Sequence, residues 1–278
     1  MSNKFSIIVT TFNRPLALSL VLDALNHQTY RDFEVIIADD GSGDETKKCI
    51  LDFQKKVSYR LVHDWQKPGE FKAARGRNLA VLKASGDYLI FLDGDCIPRQ
   101  NFLQAHLNLA QKGYMVAGNR SLLNKELTLY LEKTQSNVNN FGFIKWIGFY
   151  FKRQVNRLIP LINLSKFNFF RFYNSSSWKK VRTCNLGVWM DDFKAVNGFD
   201  GLYVGWGYED SDLAVRLLKI GVKRKSGGFA TGVLHLYHEK SDRSSENTNY
   251  ERLMTRLKDD TVKASYGLKE LLEEEKHD

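Results

Sequence analysis

The sequence predicts an α/β protein built on a doubly wound, mostly parallel sheet. Three observations carry this. Short continuous apolar runs recur at Phe5–Thr10, Phe33–Ala38 and Tyr88–Leu92. Such runs fit strands covered on both faces better than half-exposed strands, which alternate. The segments between them have the apolar spacing of helices. Each run also ends in polar or acidic residues: Thr10, then Asp39 and Asp40, then Asp93 and Asp95. Open α/β sheets bind ligands outside the carboxyl ends of their strands.

The elements follow in order. After the first strand, Asn13 is placed to cap a helix and Pro15 suits its first turn. Leu18, Val21, Leu22 and Leu25 give that helix an apolar face to about Gln28. The second strand ends in AspAspGlySer at 39–42, Thr46–Lys56 reads as a helix, and Val57–Val62 alternates like a third strand. Ala73–Ala84 is a third helix that Gly86 closes as a C-cap, and the fourth strand delivers Asp93 and Asp95. This βαβαβαβ order predicts the parallel sheet. A helix over Gln100–Lys112 and a strand over 114–118 come next.

Composition excludes several classes. A chain of 278 residues can bury one large core or two modest ones. Cys49, Cys96 and Cys184 stand far apart with no CxxC pair, which argues against a zinc knuckle or disulfide framework and for a reducing compartment. The N-terminal residues show no apolar signal region, and no run of 18 apolar residues exists. The net charge of +9 is concentrated. Between Glu132 and Asp191 there is no acid, while ten cations run from Lys133 to Arg182, interleaved with eleven aromatic residues from Phe141 to Tyr173. Three readings compete for this insert: single-stranded nucleic acid binding, a membrane interface with cations toward anionic headgroups, or aromatics packed on the core beneath a solvated basic face.

Several residues carry chemistry by type and position. Asp93 and Asp95, one residue apart at a strand end, can hold a hard divalent ion bound to phosphate, or form an ordinary acidic turn. Asp40 suits a ribose or base N–H, or begins a helix turn. Arg75 and Arg77 precede the fourth strand and can neutralise diphosphate or be solvated. Leu213, Leu217 and Ile220 mark a helix ending at Gly221, with Glu209, Asp210 and Asp212 in its first turn. Acids are stabilised there by the helix dipole, and one kept ionised can act as a general base. His235 and His238 follow the apolar run Ala230–Leu234. Residues three apart on a strand face opposite ways, so both reach one metal only if the chain turns.

The stretches FSIIVTTFNRP, FEVIIADDGS and GRNLAVLKASGDYLIFLDGD, in that order, resemble the family 2 glycosyltransferases of the nucleotide-diphospho-sugar transferase (GT-A) fold over about the first 120 residues. The resemblance implies that Thr10 and Asp40 touch the nucleoside, that Asp93 meets the ribose, and that Asp95 binds Mn²⁺ or Mg²⁺ on the diphosphate. The donor side is expected to include Thr11, Asn13, Arg14, Arg77 and Asn185 as well. GFD at 198–200 and GWGYEDSD at 205–212 are similar to galactosyltransferase-type and chondroitin-polymerase-type enzymes. By that match Asp210 is the catalytic base, Glu209 contacts the acceptor, and Trp206 forms part of the acceptor platform. His238 is favoured as the further metal ligand, with His235 the alternative.

The resemblance therefore implies an inverting transferase moving Gal, GalNAc or GlcNAc from a UDP-sugar to a saccharide or lipid-linked saccharide in bacterial surface polysaccharide synthesis. Expected are a single GT-A domain over 1–240, comprising a nucleotide-sugar half (1–120), the basic aromatic insert (121–182) and an acceptor half (183–240), then a charged helical tail (241–278). The site of action is expected to be cytoplasmic, peripheral at the inner membrane face through residues 141–173, with no nucleic-acid partner. No QxxRW motif of processive synthases is present. A nucleotidylyltransferase is the first rival, but ThrThrPheAsnArgPro stands where its Gly-rich loop belongs. A non-catalytic carbohydrate-binding module, the second rival, needs no base.

Overall fold

The computed structural model describes residues 4–69, 72–167, 169–239, 242–274 and 276. The first half alternates strand and helix: β1 (Phe5–Thr11), α1 (Pro15–Asn26), β2 (Phe33–Asp39), α2 (Asp44–Gln54), β3 (Arg60–Trp65), α3 (Ala73–Leu82) and β4 (Tyr88–Asp93). It continues with β5 (Cys96–Pro98), α4 (Phe102–Leu109), β6 (Tyr114–Ala117) and β7 (Arg120–Leu122). The insert contributes α5 (Lys125–Thr134) and α6 (Phe143–Phe151). Then come β8 (Asn185–Trp189), α7 (Met190–Ala195), α8 (Glu209–Lys219), β9 (Lys223–Ser226), β10 (Val233–His235), α9 (Glu246–Lys258) and α10 (Leu268–Glu274).

The main sheet has the order β3-β2-β1-β4-β8-β6-β9. The first four strands are parallel, β8 enters antiparallel between β4 and β6, and β9 lies parallel to β6. The α/β architecture and mostly parallel sheet are thus as expected. The runs are apolar throughout because both faces are covered. Ile7 and Val9 pack with Leu18, Val21 and Leu25 of α1, while Ile8 and Phe91 pack on the other face with Phe193, Leu213 and Leu217. Each such side chain is worth about 1.5–3 kcal/mol when fully buried. Register places the site: Thr10 pairs with Asp93 and Thr11 with Asp39, so three strand ends lie side by side.

A second sheet, β5-β10-β7, is built from three-residue strands and sets His235 opposite Cys96 and Leu122. The charged tail returns to the body. In α9 the Arg256 guanidinium lies 2.9 Å from Asp212 and 3.1 Å from Asp200, while Arg216 holds the other oxygen of Asp212 at 2.7 Å. These groups are buried, and the paired cations offset the cost of taking the two carboxylates out of water.

Three local expectations are corrected. Asn13 does not cap α1, whose N-cap is Arg14. It sits at φ 49°, a region Asn tolerates, and its Oδ1 accepts the Gly43 N–H at 2.9 Å. It therefore ties the first strand's loop to the AspAspGlySer turn. The third strand starts at Arg60 instead of Val57, because the Val57 N–H still bonds to Phe53 at the end of α2. Gly86 is not a C-cap, a place Lys83 takes. A Cβ on Gly86 would stand 2.6 Å from the Lys4 carbonyl, so the glycine permits close approach of β1.

The insert is helical in α5 and α6, and its described residues from 152 to 182 run in turns, bends and irregular backbone with one 3₁₀ turn at Ile159–Leu161. Arg171, one of the ten cations of the insert, is buried. Its guanidinium donates to the carbonyls of Leu164, Phe167, Ser226 and Gly228 and so satisfies backbone that no helix serves. Among the described residues, no helix is long and apolar enough to cross a membrane.

Candidate active site

One cavity of about 560 Å³ opens at the carboxyl ends of β1, β2 and β4. Thr10, Thr11, Asp40, Arg77, Asp93 and Asp95 line one part of it, and Trp206, Glu209, Asp210, His235 and His238 line another. Residues more than a hundred positions apart thus face a common space.

On the first side, the Thr10 hydroxyl donates to Asp93 at 3.0 Å. The two acids after β2 divide their tasks. Asp39 is buried, accepts the Ser42 N–H at 2.8 Å and contacts His63 at 2.8 Å, so it builds the turn. Asp40 faces the cavity, where Gln66 and the Lys72 N–H bind its two oxygens. Burial is the main cause that raises its carboxyl above the usual range.

Asp95 stands immediately before β5, and β10 ends at His235 beside it. The chain leaves the strand there, which lets His238 turn back. His235 Nε2 lies 3.7 Å from Asp95 Oδ1, and His238 Nε2 lies 3.7 Å from Oδ2. Both distances exceed a hydrogen bond. They approach the separation of about 3.0–3.6 Å expected for ligand atoms about 2.1 Å from one ion at 90–120°. Asp95 Oδ1 is buried with no hydrogen-bond partner among the described residues. An orphaned carboxylate oxygen beside two imidazoles fits a divalent ion, and imidazole with carboxylate suits Mn²⁺ better than Ca²⁺. Burial also holds the His235 imidazole below its ordinary pKa, which favours the neutral ligand form.

Arg14 lines the cavity but is already engaged, at 2.9 Å from Asp95 and 3.0 Å from Glu132 of α5. Arg77 is buried and bridges the two halves, 3.5 Å from Asp93 and 3.1 Å from Glu209, with Phe199 beneath it. The alternative of a solvated Arg77 is excluded. Arg75 points to Gln66 and Glu274.

Glu209 and Asp210 open α8, preceded by Gly205 and Gly207 at positive φ and Tyr208 at φ 70°. That tight loop delivers both carboxylates to the cavity. Asp210 is 8% exposed. Burial, joined by the neighbouring Glu209 charge, pushes its carboxyl up to about 6, against the opposing pull of Arg182 and Arg77. A carboxylate of that affinity accepts a proton more readily than a solvated one. Trp206 stacks with the Arg243 guanidinium at 4.2 Å, and Asn249 of α9 donates to the carbonyls of Val204 and Trp206.

Two expected donor residues lie elsewhere. Asn13 ties loops together, as described above. Asn185 is buried, donates to the carbonyls of Asn119 and Thr231, and contacts His106. It fastens β8 to its neighbours and does not line the cavity.

Sequence reasoning missed Arg182, Arg243 and Glu246, which line the cavity. Arg182 carried a signal as the last cation of the insert. Arg243 and Glu246 lie in the charged tail, where nothing marked them. Also missed was the approach of Cys96 and Cys184 to Asp93, their ligand atoms all within 4.8 Å. Arg120 donates to the Cys184 sulfur at 3.3 Å, and burial pushes the Cys96 thiol well up, away from the thiolate form that binds metal.

Comparisons with known proteins give the family and the fold. The family model described as glycosyl transferase family 2 matches residues 6–180, and one described as the N-terminal domain of galactosyltransferase matches 165–239. A chondroitin synthase of Escherichia coli is 26% identical over 262 residues, 87% of this chain and 35% of that one. A GalNAc(5)-diNAcBac-PP-undecaprenol beta-1,3-glucosyltransferase of Campylobacter jejuni is 30% identical over 132 residues, 46% of this chain and 41% of that one. The chain spans between a tenth and about half the length of the first curated relatives. Among solved structures, S. aureus TarS 1-349 in complex with UDP-GlcNAc superposes with a TM-score of 0.62 at 16% identity, covering 91% of this chain and 65% of that one. That likeness establishes the GT-A fold. With well over half of its length matched by the first model, the chain belongs to glycosyl transferase family 2.

Proposed function

We propose that the chain is an inverting, metal-dependent glycosyltransferase that moves Gal, GalNAc or GlcNAc from a UDP-sugar to a hydroxyl of a saccharide or lipid-linked saccharide, in bacterial surface polysaccharide synthesis. The observation that carries the reading is the shared cavity: the Asp95, His235 and His238 cluster and the raised carboxylate of Asp210 face one space. The relative whose name specifies a diphosphoundecaprenol-linked substrate supports the lipid-linked acceptor.

In this reading Asp40 and Gln66 receive the base or ribose, while Thr10 orients Asp93 toward the ribose. Asp95, His235 and His238 would hold Mn²⁺ or Mg²⁺, which when bound supplies positive charge to the diphosphate leaving group. Asp210 accepts the proton of the acceptor hydroxyl. That oxygen bonds to the anomeric carbon on the face opposite the nucleotide, and the carbon–oxygen bond to UDP breaks with its electron pair on the diphosphate. An α-linked donor then gives a β-glycoside. Glu209, held by Arg77, contacts the acceptor, and Trp206 offers a ring face to its apolar side.

The test incubates the chain with UDP-Gal, UDP-GalNAc or UDP-GlcNAc and p-nitrophenyl glycosides, with Mn²⁺ or with EDTA, and measures UDP release and the anomeric configuration of the product. Acceptor-dependent release with Mn²⁺ and a β-linked product is expected. Pyrophosphate release from UTP and a sugar phosphate would mark a nucleotidylyltransferase. Binding without turnover of any donor would mark a binding module.

A further inference from the structure

Helix α6 is apolar on two opposite faces. The inner face is accounted for: Trp146 is 1% exposed and packs edge-on against Phe149 at 5.5 Å, with Phe141 beside both. The outer face has no partner among the described residues. Ile144 is 85% exposed, Phe151 79% and Phe143 57%. A surface helix of a globular protein turns polar residues outward, and a contiguous exposed apolar patch marks an interaction site. The charge around the patch narrows the partner. Lys152 and Arg153 follow the outer face, both exposed, Lys145 lies over the Phe141 ring at 3.5 Å on the other side, and no acid occurs anywhere between Glu132 and Asp191. An apolar stripe framed only by cations is complementary to an apolar layer beneath an anionic surface.

We propose that the outer face of α6 docks on an anionic phospholipid bilayer, with Ile144, Phe143 and Phe151 entering the interface and Lys152 and Arg153 meeting the headgroups. The docked element is not a loose appendage. The Asn124 N–H bonds to Gln154 just after α6, and Leu123 bridges to Val155. Pro160 lies so close to Gly232 that a Cβ there would stand 2.1 Å from its carbonyl oxygen. The segment after α6 is thereby wedged onto β7 and β10, and β10 ends at His235. A bilayer that holds α6 fixes the sheet carrying the metal cluster at a set place relative to the lipid. The inference deepens the transfer reading, and rests on it for the idea that a lipid-linked acceptor arrives from that surface. The docking itself is tested without any transfer.

The experiment is co-sedimentation of the full chain with vesicles of phosphatidylcholine alone or with phosphatidylglycerol. Binding to the anionic vesicles is expected, with little to the zwitterionic ones and a marked loss in 0.5 M salt. The double substitution Ile144→Glu with Phe151→Glu is expected to lower the bound fraction at least tenfold, and Lys152→Glu with Arg153→Glu to weaken it severalfold. These side chains are exposed, so an unchanged circular dichroism spectrum and thermal midpoint confirm the fold. Failure of the unaltered chain to sediment with anionic vesicles overturns the proposal, as does binding that the Ile144 and Phe151 substitutions leave intact. A dimer in solution that those substitutions dissolve, or capture of a single-stranded oligonucleotide in place of vesicles, overturns it in favour of a second copy or a nucleic acid.

Discussion

Replacing Asp210 with Asn should stabilise the protein while abolishing transfer. Burial raises the Asp210 carboxyl from 3.8 to about 6. The folded state therefore prefers the protonated form, and ionisation costs native stability. The cost is absent below the unfolded value, grows as pH rises through the interval between 3.8 and about 6, and is complete above it. At 1.36 kcal/mol per pH unit, an interval of roughly two units corresponds to about 3 kcal/mol. Asn is neutral, and its side-chain oxygen can still accept from Ser211, which donates to Asp210 at 3.2 Å. Urea midpoints of Asp210→Asn and the unaltered chain should nearly coincide at pH 4 and separate toward pH 8, the variant being more stable by about 1–3 kcal/mol. Loss of a general base should cut transfer by about 10²–10⁴-fold. UDP binding should persist. In the unaltered chain kcat/KM should rise through about pH 6 and level off above it, because the base works only when ionised. A stability gap independent of pH, or a variant that transfers sugar at the normal rate, refutes both the buried-carboxylate argument and the role of Asp210.

Other substitutions test the frame around the site. Burial alone would raise Glu34 of β2, but hydrogen bonds from Ser85, Ser6 and Arg60 overcome it and hold the carboxyl down at about 2. Its contribution is present above the unfolded value of 4.5 and is lost as pH falls toward 2. Glu34→Gln should therefore cost about 3 kcal/mol at pH 7 by urea titration, with the deficit shrinking below pH 4. An equal deficit at pH 7 and pH 3 counts against this. Arg256→Ala strips a cation from buried Asp212 and Asp200 and should destabilise the fold by about 3–5 kcal/mol. A midpoint within error of the unaltered chain would mean that α9 is held by other contacts.

What the sequence discloses follows from how local each signal is. The runs Phe5–Thr10, Phe33–Ala38 and Tyr88–Leu92 announce buried strands because both faces are covered, and the acids at their ends identify the ligand edge. Glu209 and Asp210 are legible because they open a helix whose apolar spacing is clear. The small sheet is not legible, since three-residue strands leave no period to read. Yet that sheet brings His235 to Asp95, and the turn after it brings His238. Asn185 reads as a polar strand-start residue and gives no sign that it bonds to Asn119 and Thr231. Arg77 shows its charge in sequence but not its partners, one of which lies 132 positions away. The tail reads as a charged helix with no partner marked, although Arg256 is buried against two acids. In each case the missing information is a long-range pairing that sequence spacing does not encode.

The central claim is that Asp95, with His235 and His238, forms a divalent-ion site serving a nucleotide diphosphate. Calorimetric titration of UDP into the chain, in Mn²⁺ and in EDTA, tests it most directly. Mn²⁺ should tighten UDP at least tenfold, and Asp95→Asn should erase that gain while leaving the thermal midpoint near its normal value. Equal UDP affinity in Mn²⁺ and EDTA, or a Mn²⁺ effect that survives Asp95→Asn, would contradict it.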